Sequence, residues 1–208
     1  AALKGAFDYP YGCAEQTMSS MLPWLTLRDL KKALPSINRP DADIQLAIQK
    51  GVDRLLSMQT RDGGIAYWPG GEEASPWASA HGALGLILAS RAGADVPEAR
   101  IASLTGWLSG SLREAGSEAN PYELTNRAYA AWVLAMAGKP EAGYHEVLFR
   151  EREQLQPSGR ALLALAIAEA GGPEEMSRGL LAMNEGGQND WWLGRESTSA
   201  IRAIALMK

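Results

Sequence analysis

Apolar residues recur along this chain at intervals of three and four, the spacing of a helix face. β-branched residues are scarce and no run alternates apolar with polar, so no strand beyond short turns is expected. The pattern predicts a first helix from near Ala14, with Pro23 kinking or splitting it and Pro35 ending it. A second is predicted from Asp41 to Gln59, capped by Asp41 or Asp43. Its buried stripe would be Ile44, Ala47, Ile48, Gly51, Val52 and Leu55.

Beyond Trp77 two kinds of helix alternate. One is small and apolar nearly all round and ends in Ala-Gly or just short of it: Trp77 to Gly93, Asn126 to Gly138, Ser158 to Gly171, and the start of a fourth from Ser197 to Lys208. The terminal Gly would take the left-handed conformation that stops a helix. The other kind keeps one polar face: Pro97 to Arg113, Glu141 to Glu153 and Pro173 to Asn184. Prolines 97, 140, 157 and 173 fall where a first helical turn tolerates them. A helix apolar all round must be covered on every side. The alternation therefore predicts an all-α chain built as an α/α toroid, a helical-hairpin barrel with inner helices inside and outer helices around them.

The segment from Gln59 to Trp68, QTRDGGIAYW, adds to this. It resembles the Q-x-x-D-G-G-aromatic repeat of terpene cyclases and prenyltransferase β-subunits, which share the toroid. Gly186-Gly187 followed by Trp191-Trp192 is a weaker echo. Asp-Gly-Gly would make a tight turn and the Trp would seal the space between neighbouring hairpins. The helix count falls short of a closed ring and the chain stops at Lys208 within a predicted helix. A single domain, 1–208, cut from a larger multidomain protein and missing its last outer helix is the expectation.

Composition narrows the function. With 46% hydrophobic and 21% charged residues in 208, a packed core is expected and disorder is not. A net charge of −4 argues against nucleic acid as the main partner. No stretch approaches the roughly 18 consecutive apolar residues of a membrane span, so no membrane contact by this domain is expected. There is one cysteine, so no internal disulfide can form. The sequence offers no Cys/His cluster for a metal, no phosphate-binding Gly loop and no serine nucleophile elbow, and no cofactor is expected.

That single cysteine lies in Tyr9-Pro10-Tyr11-Gly12-Cys13-Ala14-Glu15-Gln16-Thr17. Cys13 and Gln16 are three apart, on one face across a single turn. The thiol could attack the side-chain amide carbon of Gln16 and expel ammonia, an encounter made efficient by being intramolecular. A helix N-terminus favours the thiolate. Gly12 would let the backbone bend tightly before the turn. Glu15 is better suited to complementing the helix dipole or anchoring the loop than to nucleophilic attack. Phe7, Tyr9, Tyr11, Met18, Met21 and Trp24 could shield an activated acyl group from water, or be ordinary core.

The stretch resembles the G-C-x-E-Q thioester motif of the alpha-2-macroglobulin and complement family. The order of thioester motif, helix, Asp-Gly-Gly segment and Ala-Gly-terminated helices extends that resemblance through nearly the whole chain, and Tyr-Pro-Tyr before the Gly resembles the bacterial branch. The resemblance implies an internal Cys13–Gln16 thioester. It implies a single-turnover covalent trap, a protease inhibitor and not an enzyme, whose partners are the lysine amines of attacking proteases and the other domains of the parent protein. Bait cleavage would expose the bond. A periplasmic or cell-envelope-associated parent is implied as well.

Some family members carry a His that attacks first and redirects the acyl group to hydroxyls. The matching stretch here, Ser109 to Tyr122, contains none. His81, within an apolar helix, reads as a satisfied core residue, and His145, on a polar outer helix, as a solvated one. Amine capture is therefore the expectation. The alternatives are a terpene-cyclase or prenyltransferase-like toroid enzyme, or an inert helical scaffold. The enzyme would need clustered acids or zinc ligands, yet Asp62, Asp95 and Asp190 are each single.

Overall fold

A computed structural model of the chain describes residues 12–33, 39–116 and 119–183. Among these residues the chain is all-helical. The helices are α1 (Ala14–Ala33), α2 (Asp41–Leu56), α3 (Pro76–Arg91), α4 (Glu98–Arg113), α5 (Pro121–Met136), α6 (Ala142–Arg150), α7 (Pro157–Glu169) and α8 (Glu174–Ala182). The only β pairing among them is an isolated antiparallel bridge between Gln59 and Ile65. The chain forms two compact units, Ala1–Trp107 and Leu108–Lys208, with the division falling inside α4. The fourth inner helix predicted from Ser197 and the Gly186-Gly187/Trp191-Trp192 echo lie outside the described residues.

In the first unit α1 packs on α2 and α3. Pro23 does not split α1, which is one helix of 20 residues. The carbonyl that a proline there leaves without its partner is that of Ser19, an exposed residue, where water can take the bond. Helix α2 starts on Pro40, with no side-chain cap, so Asp41 and Asp43 complement the dipole from within the first turn instead of capping it. Its buried residues are Ile44, Ile48, Val52 and Leu55. It ends at Leu56 and not Gln59, because Gln59 turns away to pair with Ile65. Helix α3 is capped by Ser75, whose hydroxyl accepts from the Ala78 N–H, and it is buried over most of its circumference.

In the second unit α5 packs against α7, and α7 against α8. A capping box starts α5, with the Asn120 side chain accepting from backbone N–H groups and Glu123 returning the bond. Helix α7 is buried continuously from Pro157 to Ile167, as its all-round apolar sequence predicts. Pro157 is the first helical residue, whereas Pro97, Pro140 and Pro173 sit one or two positions before their helices. His145 corrects the sequence reading. It is 4% exposed, because α6 has only nine residues and His145 falls on the stripe, with Leu148, that packs inward.

Helices α3, α5 and α7 end alike. Gly93, Gly138 and Gly171 have φ of 83°, 72° and 67°. Each helix closes with the paired bonds of a Schellman motif. These are Ala94 N–H to Ala89 O and Gly93 N–H to Ser90 O, then Lys139 to Leu134 and Gly138 to Ala135, then Gly172 to Ile167 and Gly171 to Ala168.

Candidate functional site

Cys13 stands immediately before α1, and its carbonyl accepts the first helical bond, from Thr17 N–H at 2.9 Å. It is the N-cap residue, and Gln16 is the third residue inside. The Cys13 N–H donates to Gln16 Oε1 at 3.2 Å. This is the return half of a capping box, in which the third helical residue reaches back to the cap's own N–H. The Cys-x-x-Gln spacing thus has a local structural cause, and the bond turns the Gln16 carboxamide toward Cys13. An N–H on that carbonyl oxygen polarises the carbon that a thiol would attack. Cys13 is buried, at 4% exposure, while Glu15 and Gln16 are exposed.

Gly12 is needed for room and not for a left-handed φ, which it does not have. A Cβ there would lie 3.1 Å from Gln16 Cβ and 3.4 Å from Thr17 N. From α2, Arg54 donates through Nη2 to the Gly12 carbonyl at 3.2 Å, tying down the residue before the cysteine.

The Asp-Gly-Gly segment supplies the opposite wall. Thr60 N–H donates to Gly64 O at 2.8 Å and Gly63 N–H to Thr60 O at 3.2 Å, closing a tight turn with Gly63 at φ 103°. Trp107 Nε1 donates to Asp62 at 2.9 Å and its ring covers Gly64, where a Cβ would come within 2.8 Å of it. The tryptophan that seals this turn is therefore Trp107 and not Trp68, which is 54% exposed. The turn delivers Tyr67 to the motif. Its carbonyl accepts from Ala14 N–H at 3.0 Å, and its phenol donates to Glu15 Oε2 at 2.8 Å. Its titration is pushed well above the usual tyrosine range by that bond to Glu15, then by burial, then by the Cys13 side chain beside it.

Trp77 lies 6.2 Å from Tyr67, ring centre to ring centre, and stacks on His81 at 4.7 Å. His81 is half-buried, and burial pushes it down to about 4 against an opposing pull from Glu15. It is thus close enough to feel the motif's own carboxylate, which the reading of His81 as plain core did not anticipate. Of the shield candidates, Phe7, Tyr9 and Tyr11 lie outside the described residues. Met18 and Met21 are fully buried against α3, where a Cβ on Gly85 would meet both sulfur-bearing chains, so they are helix–helix core. Trp24 is eleven residues along α1 from Cys13, roughly 16 Å at helical rise, and has Arg39 over its ring, so it does not cover the thiol. Ser109 to Tyr122, the stretch matched to the family's histidine loop, begins in the last turns of α4 and ends in the first turn of α5.

The residues that sequence reasoning missed are Arg54, Tyr67 and Trp77. The Asp-Gly-Gly segment was the available signal for Tyr67, since a turn that rigid must present the aromatic behind it to something.

An all-helical domain with a cysteine and a glutamine locked across its first helical turn defines the class of molecule. The chain belongs to the A-macroglobulin TED domain family, whose model matches residues 3–139. It is 30% identical over 212 residues to alpha-2-macroglobulin of Escherichia coli K12, a match covering 96% of this chain and 13% of that protein. Its fold is similar to that of Escherichia coli alpha-2-macroglobulin activated by porcine elastase, with a TM-score of 0.78, 27% identity, and coverage of 95% of this chain and 19% of that one. Salmonella alpha-2-macroglobulin reacted with methylamine is similar in fold too, with a TM-score of 0.78 at 24% identity over 98% of this chain and 15% of that one. The chain spans about an eighth of the length of the curated relative.

Proposed function

We propose that this domain carries an internal thioester between Cys13 and Gln16 and is the covalent arm of a protease-trapping protein. The observation that carries the reading is the Cys13 N–H to Gln16 Oε1 bond at 3.2 Å beside a buried thiol. The sulfur attacks the Gln16 side-chain carbonyl carbon, the C–N bond breaks and ammonia leaves. An amine later attacks the same carbon, an amide forms, the C–S bond breaks and Cys13 is left as a thiol. After bait cleavage in the parent protein that amine is a lysine of the attacking protease. Each molecule reacts once, so the parent is an inhibitor and not an enzyme. A structural relative, Escherichia coli alpha-2-macroglobulin activated by porcine elastase, supports the protease half of this reading. Family resemblance supports a periplasmic or envelope-associated parent.

The test is the intact mass of the full-length protein, purified without amines, before and after methylamine. The native protein should weigh one ammonia less than its sequence and gain one methylamine together with one titratable thiol at Cys13. A Cys13 that titrates fully before any nucleophile is added overturns the reading.

A further inference from the structure

We propose that Arg54 is a positioning residue of the thioester chemistry, holding and polarising the Gly12–Cys13 peptide so that the Cys13 N–H stabilises charge developing on the Gln16 side-chain oxygen. The inference deepens the Cys13–Gln16 reading and rests on it. Two hydrogen bonds to one peptide group carry it. Arg54 Nη2 donates to the Gly12 carbonyl at 3.2 Å. The nitrogen of that same peptide, the Cys13 N–H, donates to Gln16 Oε1 at 3.2 Å. A guanidinium, one peptide unit and the reacting carbonyl therefore stand in series. Arg54 lies in the last turn of α2, 42 residues from Gly12, so only the packed first unit brings it to the motif. It is half-buried, and its Nε is enclosed with no hydrogen-bond partner among the described residues. An unpaired buried donor on a charged group costs stability, so the fold alone does not account for an arginine here.

The peptide bond is conjugated, so a cation bonded to its oxygen draws electron density from its nitrogen and makes the N–H a stronger donor. The Gln16 oxygen stays on its carbon throughout the chemistry. When the Cys13 sulfur adds to that carbon, the carbonyl electron pair moves onto Oε1. The pair returns as the C–N bond breaks, and the thiol's proton leaves with the ammonia. In opening, the amine adds to the same carbon and the pair moves onto Oε1 again. It returns as the C–S bond breaks, and the amine's proton ends on sulfur. Both adducts put negative charge on the atom that the Cys13 N–H already meets. One preorganised donor thus serves closing and opening, and Arg54 fixes both its direction and its strength.

The experiment uses the full-length protein as wild type, Arg54→Met, Arg54→Lys and Arg100→Met. Arg54→Met keeps an apolar stem and removes the charge; Arg54→Lys keeps the charge. Arg100→Met is the control. Arg100 also donates to a main-chain carbonyl, that of Leu56 at 2.7 Å, but the nitrogen of that peptide, Ser57 N–H, turns back to Asp53 O in α2. The mass of the wild type is recorded first. A full sequence mass means that the thioester reading has failed, and this inference with it. With the bond present, Arg54→Met should open in methylamine about tenfold more slowly, short of the hundredfold or more lost with an oxyanion donor itself. Arg54→Lys should recover most of that rate. The unfolding midpoint of Arg54→Met should fall no further than that of Arg100→Met, which should open at the wild-type rate. Infrared difference spectra between native and methylamine-opened protein read the thioester carbonyl directly. Its stretch should rise in frequency in Arg54→Met and stay in place in Arg100→Met, a change that loss of stability alone would not produce. A folded Arg54→Met that keeps its full sequence mass beside a closed Arg100→Met supports the inference in the closing direction. Arg54→Met opening at the wild-type rate overturns it, as does a slow Arg54→Met with the stretch unmoved or an Arg100→Met that is equally slow. An Arg54→Met that does not fold overturns it too, since the charge would then serve the fold.

Discussion

The main-chain N–H of Ala14 donates to the carbonyl of Tyr67 at 3.0 Å, joining the start of α1 to the end of the Asp-Gly-Gly turn. The stability of that turn and the geometry of the cysteine site are therefore one problem. Whatever shifts Tyr67 shifts the residue next to Cys13.

The turn depends on Gly63. Its φ of 103° is strained for any residue with a side chain, and a Cβ there would lie 2.8 Å from the Ser103 carbonyl oxygen. Gly63→Ala should lower stability by roughly 2–3 kcal/mol, from backbone strain together with the steric overlap. Denaturant unfolding reads this directly, and an unchanged midpoint would show that the turn is softer than its geometry implies.

Helix α3 approaches α1 so closely that a Cβ on Gly85 would come within 2.7 Å of Met21 Cε and closer still to the Met18 sulfur. Gly85→Ala should cost about 1–3 kcal/mol through overpacking. Met18→Ala alone should cost roughly 2–5 kcal/mol through the cavity it leaves. The added methyl partly fills that cavity, so the double variant should lose clearly less than the sum of the two. Strict additivity in thermal unfolding would mean that the two side chains do not share that space.

Histidine burial sets an acid limit. His81 is pushed from 6.5 down to about 4 by burial, so the folded state favours the neutral ring more than the unfolded chain does. The stability this contributes is fully present above pH 6.5 and is lost as pH falls from 6.5 through about 4. It is on the order of 3 kcal/mol, from the size of the shift. His145 is lowered by burial too and adds a loss of the same sign. Chemical denaturation at pH 7.5 and pH 4.5 should show the fall, and His81→Phe should reduce it. An identical fall in that variant would assign the acid sensitivity elsewhere.

A small amine should label Gln16 of the full-length protein much faster than glycerol at equal concentration, because an unprotonated amine needs no further activation while a hydroxyl does. The placement of His81 within reach of Glu15's charge makes this a sharper test than the sequence alone would set. His81→Phe should leave the preference unchanged. Comparable labelling by glycerol, lost in His81→Phe, would move the domain to the hydroxyl-transferring type.

The elements legible in the sequence are those whose causes lie within a few residues. Four of the six residues expected in the buried stripe of α2, Ile44, Ile48, Val52 and Leu55, follow from spacing alone, as do the three Gly-terminated helix ends, while Ala47 and Gly51 are half-buried. The pairing of Cys13 with Gln16 is of the same kind, since a cap and the third residue inside a helix meet whatever surrounds them. Gln59 leaving α2 was an error of less than a turn, whereas α5 starts at Pro121, five residues before the Asn126 expected, because the Asn120 capping box sets its start. Only the tertiary structure could decide which distant groups surround that turn. Arg54 reaches Gly12 across 42 residues and Tyr67 reaches Glu15 across 52. It also decided that Trp107 and not Trp68 covers Gly64, and that His145 is buried. The physical reason is that a period of 3.6 assigns a residue to a face of its own helix. What that face meets is set by how the helices pack, and packing depends on side-chain volumes many residues apart.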